Sequence, residues 1–531
     1  MKNVDKIKKP KKKNKGLRVV ISGLAFLLGT LLVVVPLTLL LMSQDYVASY
    51  YVSLLILLIL DMVCGVFIAN SDVQVDFKVS WLTILLCLPF VGAFLYILFA
   101  QKVTTNGLKR RRINKINIQL MESVDDTTET LNELKTVNVE AYFISRGIYK
   151  SSLSGVYKNT TSEYFEFGEL GFPKMIEELK KAKKFIFIEY YIIERGEFFD
   201  SIYNILKEKA HEGLDVRFIY DDFGAASKIE AQFFEEVRRD GIKCFAFNRV
   251  RPFVDIRQNN RDHRKILVID GCVGFTGGCN LADEYINKVE RFGVWKDNII
   301  MLKGEGVNGL TNVFLTSWAL NSNFKNPEDS KLFHFENNKN LHPEIELKDD
   351  GYFQPFGETP FDGEDTCRDV YLGMISRAKR YCYLTTPYLI PDNELLTALQ
   401  NAAKSGVDVR IITPGIPDKK MVFNATRSYY AKLLSCGVKI YEYTPGFNHT
   451  KMMVCDDELG LTGTCNFDLR SLYLQFENCV FIANSSVVLD MKKDFDGMIE
   501  AGKPQSANEY LNKSIWKRIG WAFLRIIVPL F

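Results

Sequence analysis

The chain has 531 residues, enough for two soluble domains of ordinary size together with further segments. Its net charge of +3 is unevenly spread, because residues 1–18 carry nine lysines and arginines against one acidic residue. Residues 101–115 add six basic residues and no acid, whereas residues 116–531 contain 51 basic and 59 acidic residues. A net negative body excludes the broad basic surface typical of nucleic-acid binding, so we expect no nucleic-acid partner.

Eleven cysteines are scattered along the chain without a CxxC or another zinc-ligand spacing. Cysteines in such a pattern usually behave as small buried apolar residues in a reducing compartment. One disulfide, for example between Cys272 and Cys279, is also compatible with the sequence. We therefore predict no metal site and no cofactor.

Three apolar stretches follow a basic tail at residues 1–18, and we predict a membrane region over residues 19–100 with two or three helices. The first stretch, residues 19–42, has no charged residue and is long enough to cross about 30 Å of hydrocarbon as a helix. It is too long for the core of a signal peptide, which favours an anchor.

The second and third stretches each contain a feature that is unusual in a membrane-spanning helix. Residues 52–69 include Asp61, which is costly in lipid unless it faces another helix or the interface. Residues 79–100 include Pro89 and Gly92, which indicate a kink.

The distribution of charge leaves the number of membrane crossings open. The loop at residues 43–50 has no basic residue, so the positive-inside rule places the N terminus in the cytoplasm. Three full crossings would then put the basic run at residues 109–112 outside, against the same rule. Either the third stretch is re-entrant or interfacial, or one stretch does not span fully. Charge and cysteine usage favour a multi-pass membrane protein with a cytoplasmic body.

Residues 101–160 are polar and weakly patterned, and we predict a linker there. From residue 161 onward, β-rich runs alternate with helical patterns, which is the signature of an α/β layered domain. KKFIFIEYYII at residues 183–193 indicates a buried strand, and EFFDSIYNILKEKAHEG has the apolar spacing of a helix.

This succession of segments occurs twice, about 190 residues apart, an offset too large for a solenoid repeat. The sequence therefore predicts two similar α/β domains, at residues 161–345 and 346–505, each with its own sheet. The matching segments are residues 182–193 with 378–390, residues 208–219 with 401–412, and residues 241–248 with 437–444.

The C-terminal segment, residues 506–531, is amphipathic and mixes Trp516 and Trp521 with basic and aliphatic residues. Tryptophan rings with neighbouring basic side chains are typical of a helix that lies at the membrane interface. A helix docked on the body explains the same pattern, and the sequence alone favours neither.

One motif, His-x-Lys-x4-Asp, lies at the corresponding point of both repeats. It reads DHRKILVID at residues 262–270 and HTKMMVCD at residues 449–456, and GGCN and GTCN follow at residues 277–280 and 463–466. On a strand, positions i and i+2 share a face, so each histidine projects with its lysine. The candidate catalytic residues are His263, Lys265, Asp270, His449, Lys451 and Asp456, and the candidate substrate-binding residues are Gly278, Asn280, Thr464 and Asn466.

Two imidazoles and two ammonium groups, brought together across a pseudo-two-fold axis, suit a phosphate diester. The lysines and asparagines would balance charge on the non-bridging oxygens, while one imidazole attacks phosphorus and the other protonates the leaving alkoxide. The attacking imidazole must be neutral, and a carboxylate usually holds its other nitrogen. Asp297 and Glu477, at matching places before the next strand of each copy, are candidates, although ordinary cap or surface roles also fit.

The paired motifs resemble the phospholipase D superfamily and, more narrowly, its bacterial cardiolipin synthases. The resemblance covers the chain from about residue 75 and rests on NRDHRKILVIDG, GFTGGCNLADEY, TTPYLIPDNELLTAL, GVDVRIITPGIPD, HTKMMVCDD and FEN. It implies two tandem phospholipase D-like α/β sandwich domains in a bacterial cell membrane protein. It also implies transfer, without metal or cofactor, of a phosphatidyl group between two phosphatidylglycerol molecules through a phosphatidyl-histidine. His263 would be the nucleophile and His449 the acid and base.

Other acceptors fit the same motifs, because a phospholipase D that uses water, or a synthase that uses serine or an ethanolamine lipid, would share them. A nuclease fits poorly with the net negative body. A non-catalytic lipid-binding scaffold is disfavoured, since every motif residue is present in both copies. The oligomeric state is left open. We interpret the other histidines, His211, His334 and His342, as surface or packing residues.

Overall fold

The computed structural model describes residues 47–89, 91–99, 116, 127–230, 232–249, 260–321, 327–348 and 350–530. They divide into an N-terminal unit of helices and a larger unit that contains the rest of the described chain. The first predicted apolar stretch, residues 19–42, and the basic tail lie outside the described residues.

The N-terminal unit consists of three helices: α1 (Val47–Asn70), α2 (Val75–Cys87) and α3 (Val91–Phe99). Helix α1 contains the second predicted apolar stretch. Among the residues that are described, none of the helices meets the combined requirement of length and apolarity for crossing a bilayer.

The third predicted apolar stretch is a pair of short helices, α2 and α3, rather than one kinked helix. Pro89 lies in the break, where a residue without an N–H group ends the helix at little cost. Helix α3 packs back on α2, since the rings of Trp81 and Tyr96 lie 5.5 Å apart. Gly92 permits this approach, because a Cβ atom there would lie 2.7 Å from the Cα atom of Leu85.

The described part of the predicted linker is a helix pair, α4 (Thr128–Val137) and α5 (Val139–Ser152). Asn138, between the two helices, caps α5 by accepting from the backbone N–H of Ala141. Its amide nitrogen also donates to Glu458 and Asn484 of the second half, at 2.9 Å each. Residues 128–152 of the predicted linker are therefore helical and contact the second half.

The first half contains a seven-stranded mixed sheet in the order β1-β8-β6-β5-β2-β3-β4. Its strands are β1 (Thr160–Phe165), β2 (Phe185–Tyr190), β3 (Asp215–Asp221), β4 (Lys243–Phe247), β5 (Lys265–Ile269), β6 (Val273–Gly277), β7 (Val294–Lys296) and β8 (Ile299–Gly304), of which β7 lies outside this sheet. Its helices are α6 (Gly168–Lys180), α7 (Glu197–His211), α8 (Asp222–Ala225), α9 (Phe233–Arg239), α10 (Val307–Asn321) and α11 (Phe335–Asn338), with 3-10 turns at Asp283–Ile286, Pro327–Phe333 and Lys339–Leu341.

The second half contains an eight-stranded sheet in the order β17-β12-β11-β10-β14-β15-β16-β9. Its strands are β9 (Tyr352–Glu358), β10 (Tyr381–Thr385), β11 (Asp408–Pro414), β12 (Lys439–Tyr443), β13 (Gly446–Asn448), β14 (Met452–Cys455), β15 (Leu459–Gly463), β16 (Glu477–Ala483) and β17 (Gly502–Pro504), with β13 outside the sheet. Its helices are α12 (Thr366–Arg377), α13 (Asn393–Lys404), α14 (Lys420–Leu434), α15 (Leu469–Tyr473), α16 (Val487–Glu500), α17 (Ala507–Leu511) and α18 (Ile515–Ile527), with a 3-10 turn at Val528–Leu530.

The two sheets have the same topology, because strands β9, β16, β15, β14, β10, β11 and β12 follow the order of β1, β8, β6, β5, β2, β3 and β4. The internal duplication read from the sequence is thus a duplication of the fold. The extra strand, β17, pairs antiparallel with β12 at the edge of the second sheet.

Both motif strands are central and wholly buried, as their apolar runs predict. All five residues of β5 and all four of β14 are buried. Strand β5 lies antiparallel between β2 and β6, and β14 lies between β10 and β15 in the same way. The two halves share an apolar core and therefore form a single body. This core includes Phe187, Ile266, Phe314, Val454, Val480 and Phe495.

The C-terminal helix α18 is docked on the body. Trp521 is buried there, and its ring stacks on that of Tyr510 with the ring centroids 6.1 Å apart. The docked alternative is therefore correct for one face of this helix. In the described chain the cysteines are free thiols, so the optional Cys272–Cys279 disulfide is not formed.

Candidate active site at the junction of the two halves

Each motif histidine lies just before a central strand and is fixed there by the opposite half. The backbone N–H of His263 donates to the carbonyl of Phe476 at 2.8 Å, and that of His449 donates to the carbonyl of Lys296 at 2.7 Å. Strands β7 and β13 add a short parallel pairing between the halves. The two histidines are thereby brought to one junction, where both are buried.

The two candidate carboxylates hold the histidines in a crossed arrangement. Nδ1 of His263 lies 2.9 and 3.1 Å from the carboxylate oxygens of Glu477 in the second half. Nδ1 of His449 lies 2.6 Å from Oδ2 of Asp297 in the first half. Since an ionised carboxylate only accepts, Nδ1 carries the hydrogen and Nε2 of each ring is available for chemistry.

Gly278 and Thr464 are the second residues of GGCN and GTCN, and each fits the carboxylate of its own half. At Gly278, a Cβ atom would lie 1.9 Å from Oδ1 of Asp297, so this position has no room for a side chain. Thr464, its counterpart, donates its hydroxyl to Oε2 of Glu477. The sequence difference between the copies therefore accompanies the difference between aspartate and glutamate.

The two motif lysines are buried beside the histidines. The Nζ atom of Lys265 donates to the carbonyl of His263 at 2.6 Å, and Lys451 makes the same contact with His449. An ammonium group has three donors, so each lysine can also bond a bound anion. Burial lowers the pKa of Lys265 to about 7 and that of Lys451 to about 8.

The electrostatics of the site favour neutral imidazoles. Burial, followed by the positive charges of Lys265 and Lys451, lowers the pKa of His263 well below its ordinary value. Burial and the same two lysines lower the pKa of His449 as well. Burial also raises the pKa values of Asp297 and Glu477 to about 7. Burial at this site thus disfavours isolated charges of either sign, and an anionic phosphate would compensate the lysines.

The candidate asparagines have partners within the protein. Asn280 accepts from the backbone N–H of Ile192 at 3.0 Å and donates to the hydroxyl of Tyr285 at 2.7 Å. Asn466 donates to the hydroxyl of Ser471 at 3.1 Å. Both residues hold the segments that border the histidines.

A second pair of asparagines was missed by the sequence analysis. Asn298 donates to Thr462 of the opposite half at 2.6 Å, and Asn478 donates to Thr276 at 2.7 Å. Each directly follows an orienting carboxylate, so the Asp-Asn and Glu-Asn pairs at equivalent places were the available signal.

The aromatic surroundings of the histidines were also not predicted. The ring of His449 lies 5.6 Å from the rings of Trp295 and Phe447, and 5.7 Å from that of Tyr285. The ring of His263 lies 5.0 Å from that of Tyr191.

The motif aspartates lie away from the histidines, at the opposite ends of their strands. Asp270 accepts from the backbone N–H groups of Lys183, Lys184 and Phe185 at 2.8 Å and from Nε2 of His342. Asp456 accepts in the same way from residues 379–381. The expectation that these aspartates are catalytic is therefore corrected, because their carboxylates hold the start of the neighbouring strand.

The other histidines differ from one another. His342 is buried against Asp270, and His334 is buried with Nε2 at 2.9 Å from Asn312, so both are packing residues. His211 lies exposed at the end of α7.

Comparison with known protein families matches both halves. The family model for the cardiolipin synthase, phospholipase D-like domain matches residues 175–305 and again residues 371–499. A second model, the phospholipase D-nuclease N-terminal region, matches residues 54–101.

Relatives of known sequence align with most of the chain. A cardiolipin synthase of Alkalihalophilus pseudofirmus is 34% identical over 458 residues, which cover 85% of this chain and 88% of that protein. Cardiolipin synthase 2 of Bacillus anthracis is 32% identical, covering 88% of this chain and 89% of that protein. An uncharacterized protein of Streptococcus mutans is 38% identical, covering 87% of this chain and 98% of its own length.

Among solved structures, a phosphatidylserine synthase of Haemophilus influenzae shares the fold. It has a TM-score of 0.54 at 15% identity, covering 72% of this chain and 96% of that chain. Together, the duplicated sheets, the two intact motifs and the relatives give one assignment. The chain belongs to the cardiolipin synthase family, and the family's phospholipase D-like domain matches it twice.

Proposed function

We propose that this protein is a cardiolipin synthase that transfers a phosphatidyl group from one phosphatidylglycerol to another and releases glycerol. The observation that carries the proposal is the crossed pairing of His263 with Glu477 and of His449 with Asp297. This pairing leaves the Nε2 atoms of both histidines available at one junction, beside two lysines. One Nε2 atom can attack phosphorus, and the other can transfer a proton.

In the first step, Nε2 of His263 attacks phosphorus, and the bond from phosphorus to the glycerol oxygen breaks. His449, which takes up a proton at Nε2 from solvent when the anionic phosphate binds, gives this proton to the leaving glycerol alkoxide, so free glycerol and a phosphatidyl-histidine result. The assignment of His263 as the nucleophile follows the family resemblance. Lys265 and Lys451 neutralise the non-bridging oxygens, whose charge also raises the proton affinity of His449 when substrate is bound.

In the second step, a hydroxyl of another phosphatidylglycerol gives its proton to His449 and its oxygen attacks the same phosphorus. The phosphorus–nitrogen bond breaks, cardiolipin leaves, and His263 returns to its neutral form. Atoms and charge balance over the two steps, and the required proton transfers use His449 alone.

A membrane location accompanies this activity. We propose that the apolar region at residues 19–100 holds the protein on the bacterial cell membrane as a multi-pass anchor, with the body facing the cytoplasm. The basis of this proposal is the apolar sequence, because none of the described helices by itself meets the requirement for crossing a bilayer. The match of residues 54–101 to the family's N-terminal model supports this assignment. Phosphatidylglycerol and other membrane lipids are then the partners, and no nucleic acid is required.

The direct test is product analysis with purified full-length protein, labelled phosphatidylglycerol and a chelator. Equal amounts of cardiolipin and glycerol, absent with the His263→Ala variant, support the proposal. Phosphatidic acid as the main product would instead indicate a hydrolase, and a new headgroup on addition of serine would indicate another acceptor. No turnover of any phospholipid would favour a lipid-binding scaffold.

A further inference from the structure

The outward face of the C-terminal helix α18 is apolar. Ile515, Trp516, Ile519 and Phe523 are 61, 78, 53 and 61% exposed, respectively. Positions 515, 519 and 523 follow one another at i+4, and Trp516 lies three residues before Ile519, so the four side chains share one side of the helix. We call this surface the α18 face.

The side of α18 that meets the body is held by polar contacts around one tryptophan. Trp521 is buried, Lys517 donates to Asn424 at 2.7 Å, and Arg525 donates to the carbonyl of Ser428 at 2.9 Å. A surface helix of a soluble protein normally turns its apolar side inward and its charges outward. Helix α18 instead exposes large apolar residues, and this pattern marks an interaction surface.

Helix α18 is connected to the candidate active site through the first turns of α14. Lys517 near the start of α18 contacts Asn424 in the second turn of α14. The chain just before α14 borders the site, since a Cβ atom at Gly293 would lie 3.2 Å from Cδ1 of Ile416, and Gly293 leads directly into β7 and Asp297. The charge of Lys419, just before α14, also lowers the pKa of His449, as a minor cause after burial, Lys451, Lys265 and His263.

Further apolar side chains are exposed between α18 and the site. Ile416, just before α14, and Met421, at its start, are 38 and 42% exposed, and Val294 is 41% exposed on β7. Basic residues accompany them: Lys420 and Arg518 are exposed, and Lys513 lies just before α18. Apolar anchors flanked by cations are complementary to the boundary between headgroups and acyl chains of an anionic bilayer.

We propose that the α18 face lies in the interface of an anionic phospholipid bilayer and orients the active site toward the lipid surface. The proposal deepens the proposed function, because phosphatidylglycerol is itself an anionic bilayer lipid whose acyl chains need never leave the membrane. Trp516 then occupies the headgroup level, where tryptophan is favoured. The N-terminal anchor retains the protein on the membrane, and α18 sets the orientation of the site.

The first experiment measures contact between α18 and lipid. Full-length protein is reconstituted in phosphatidylglycerol vesicles with brominated acyl chains, and tryptophan quenching is compared with that of a Trp516→Phe variant. We expect the variant to lose a quenched component that the unmodified protein shows. Equal quenching in both proteins would overturn the proposal, whatever the enzymatic activity.

The second experiment separates interfacial docking from chemistry. The variant Trp516→Glu/Ile519→Glu/Phe523→Glu is assayed on long-chain phosphatidylglycerol vesicles and on dihexanoyl phosphatidylglycerol, which is soluble as a monomer. We expect at least a tenfold loss of kcat/KM on vesicles and an unchanged value on the short-chain lipid. The control, Val137→Glu/Val139→Glu/Leu489→Glu, changes apolar residues of similar exposure on other helices and should match the unmodified protein on both substrates.

The remaining outcomes are also informative. Unchanged activity of the α18 variant on vesicles would contradict the proposal. Equal losses on both substrates would indicate damage to the fold, and the Trp516 quenching then decides. If the unmodified protein turns over neither lipid, the proposed function fails, whereas the quenching experiment still tests the contact of α18 with the bilayer.

Discussion

At the scale of single residues, the site depends on the close approach of the Asp297 carboxylate to the His449 ring. Asp297 reaches His449 only because the position beside it, Gly278, has no side chain. Thr464 occupies the equivalent place in the other copy, and its hydroxyl bonds Glu477. The glycine is therefore part of the mechanism that orients His449, although it contacts no reacting atom.

Replacement of this glycine should impair chemistry more than folding. In Gly278→Ala, the new Cβ atom would lie 1.9 Å from Oδ1 of Asp297 and would push the carboxylate away from His449. We expect kcat to fall by about 10²-fold, the lower range for loss of a positioned acid and base. The control is Gly147→Ala in α5, where a Cβ atom meets nothing within 4 Å. Full kcat in Gly278→Ala would contradict the role assigned to Asp297.

The buried charges predict a narrow pH optimum. Burial raises the pKa values of Asp297 and Glu477 to about 7, so kcat/KM should fall as pH drops below 7 and these carboxylates take up protons. Burial lowers the pKa of Lys265 to about 7 and that of Lys451 to about 8, so kcat/KM should also fall as pH rises and phosphate-binding charge is lost.

The two carboxylates and the two lysines titrate as a unit. The two limbs of the pH profile of kcat/KM therefore belong to the group rather than to single residues. The measurement is kcat/KM between pH 5 and 10 on a short-chain substrate, because this ratio reports the free enzyme. A bell with limbs near pH 7 and 8 is expected. A profile that stays flat to pH 10, near the ordinary value of lysine, would show that the lysines are not the charged groups that bind phosphate.

At the scale of secondary-structure elements, the pattern of apolar residues was sufficient to predict β2 and α7. It failed at α4 and α5, because their sequence is polar and the contacts of Asn138 with Glu458 and Asn484 span more than 300 residues. The His-x-Lys-x4-Asp motif, in turn, placed Asp270 and Asp456 among the catalytic candidates. A fixed spacing from histidine does not reveal that each aspartate lies at the far end of a strand, β5 or β14, from its histidine.

Asp270 should be a stability residue. Its carboxylate accepts from three backbone N–H groups and from His342, so Asp270→Ala leaves buried donors without an acceptor. We expect the free energy of unfolding to fall by about 3 kcal/mol, as for loss of buried bonds to a charged group. Denaturant unfolding measures this change, with the exposed Asp369→Ala as the control. An unchanged midpoint would contradict the role.

The pH dependence of this contact has a defined sign. Burial would lower the pKa of His342, but its hydrogen bonds with Asp270 and Glu344 outweigh burial and raise it. A raised pKa in the folded state stabilises the fold fully below the unfolded value of about 6.5, and this stabilisation is lost as pH rises through the folded value. The difference in stability between the Asp270→Ala variant and the unmodified protein should therefore shrink above neutral pH.

At the scale of the whole molecule, the duplication makes one site from two halves. The repeat and the motifs were readable from the sequence, and so was the general position of the carboxylates. Which carboxylate serves which histidine was not, because the pairing depends on how the halves face each other through Phe476 and Lys296. The apolar face of α18 was visible as a pattern, whereas its attachment through Trp521 required the folded body.

Because both crossed pairs lie within one chain, inactive variants should not complement each other. A mixture of His263→Ala and His449→Ala proteins, reconstituted in the same vesicles, is expected to make no more cardiolipin than either variant alone. A mixture with unmodified protein controls for reconstitution. Recovery of activity in the mixture of variants would show that histidines of different chains share a site.

The most direct measurement is to trap the intermediate during turnover. The full-length protein is mixed with labelled phosphatidylglycerol, denatured within milliseconds at neutral pH, digested and mapped by mass spectrometry. The account predicts a phosphatidyl group on His263, formed in parallel with glycerol release and absent in His263→Ala. Cardiolipin formation without any labelled peptide, or a label on His449 alone, would contradict the roles assigned to the two histidines.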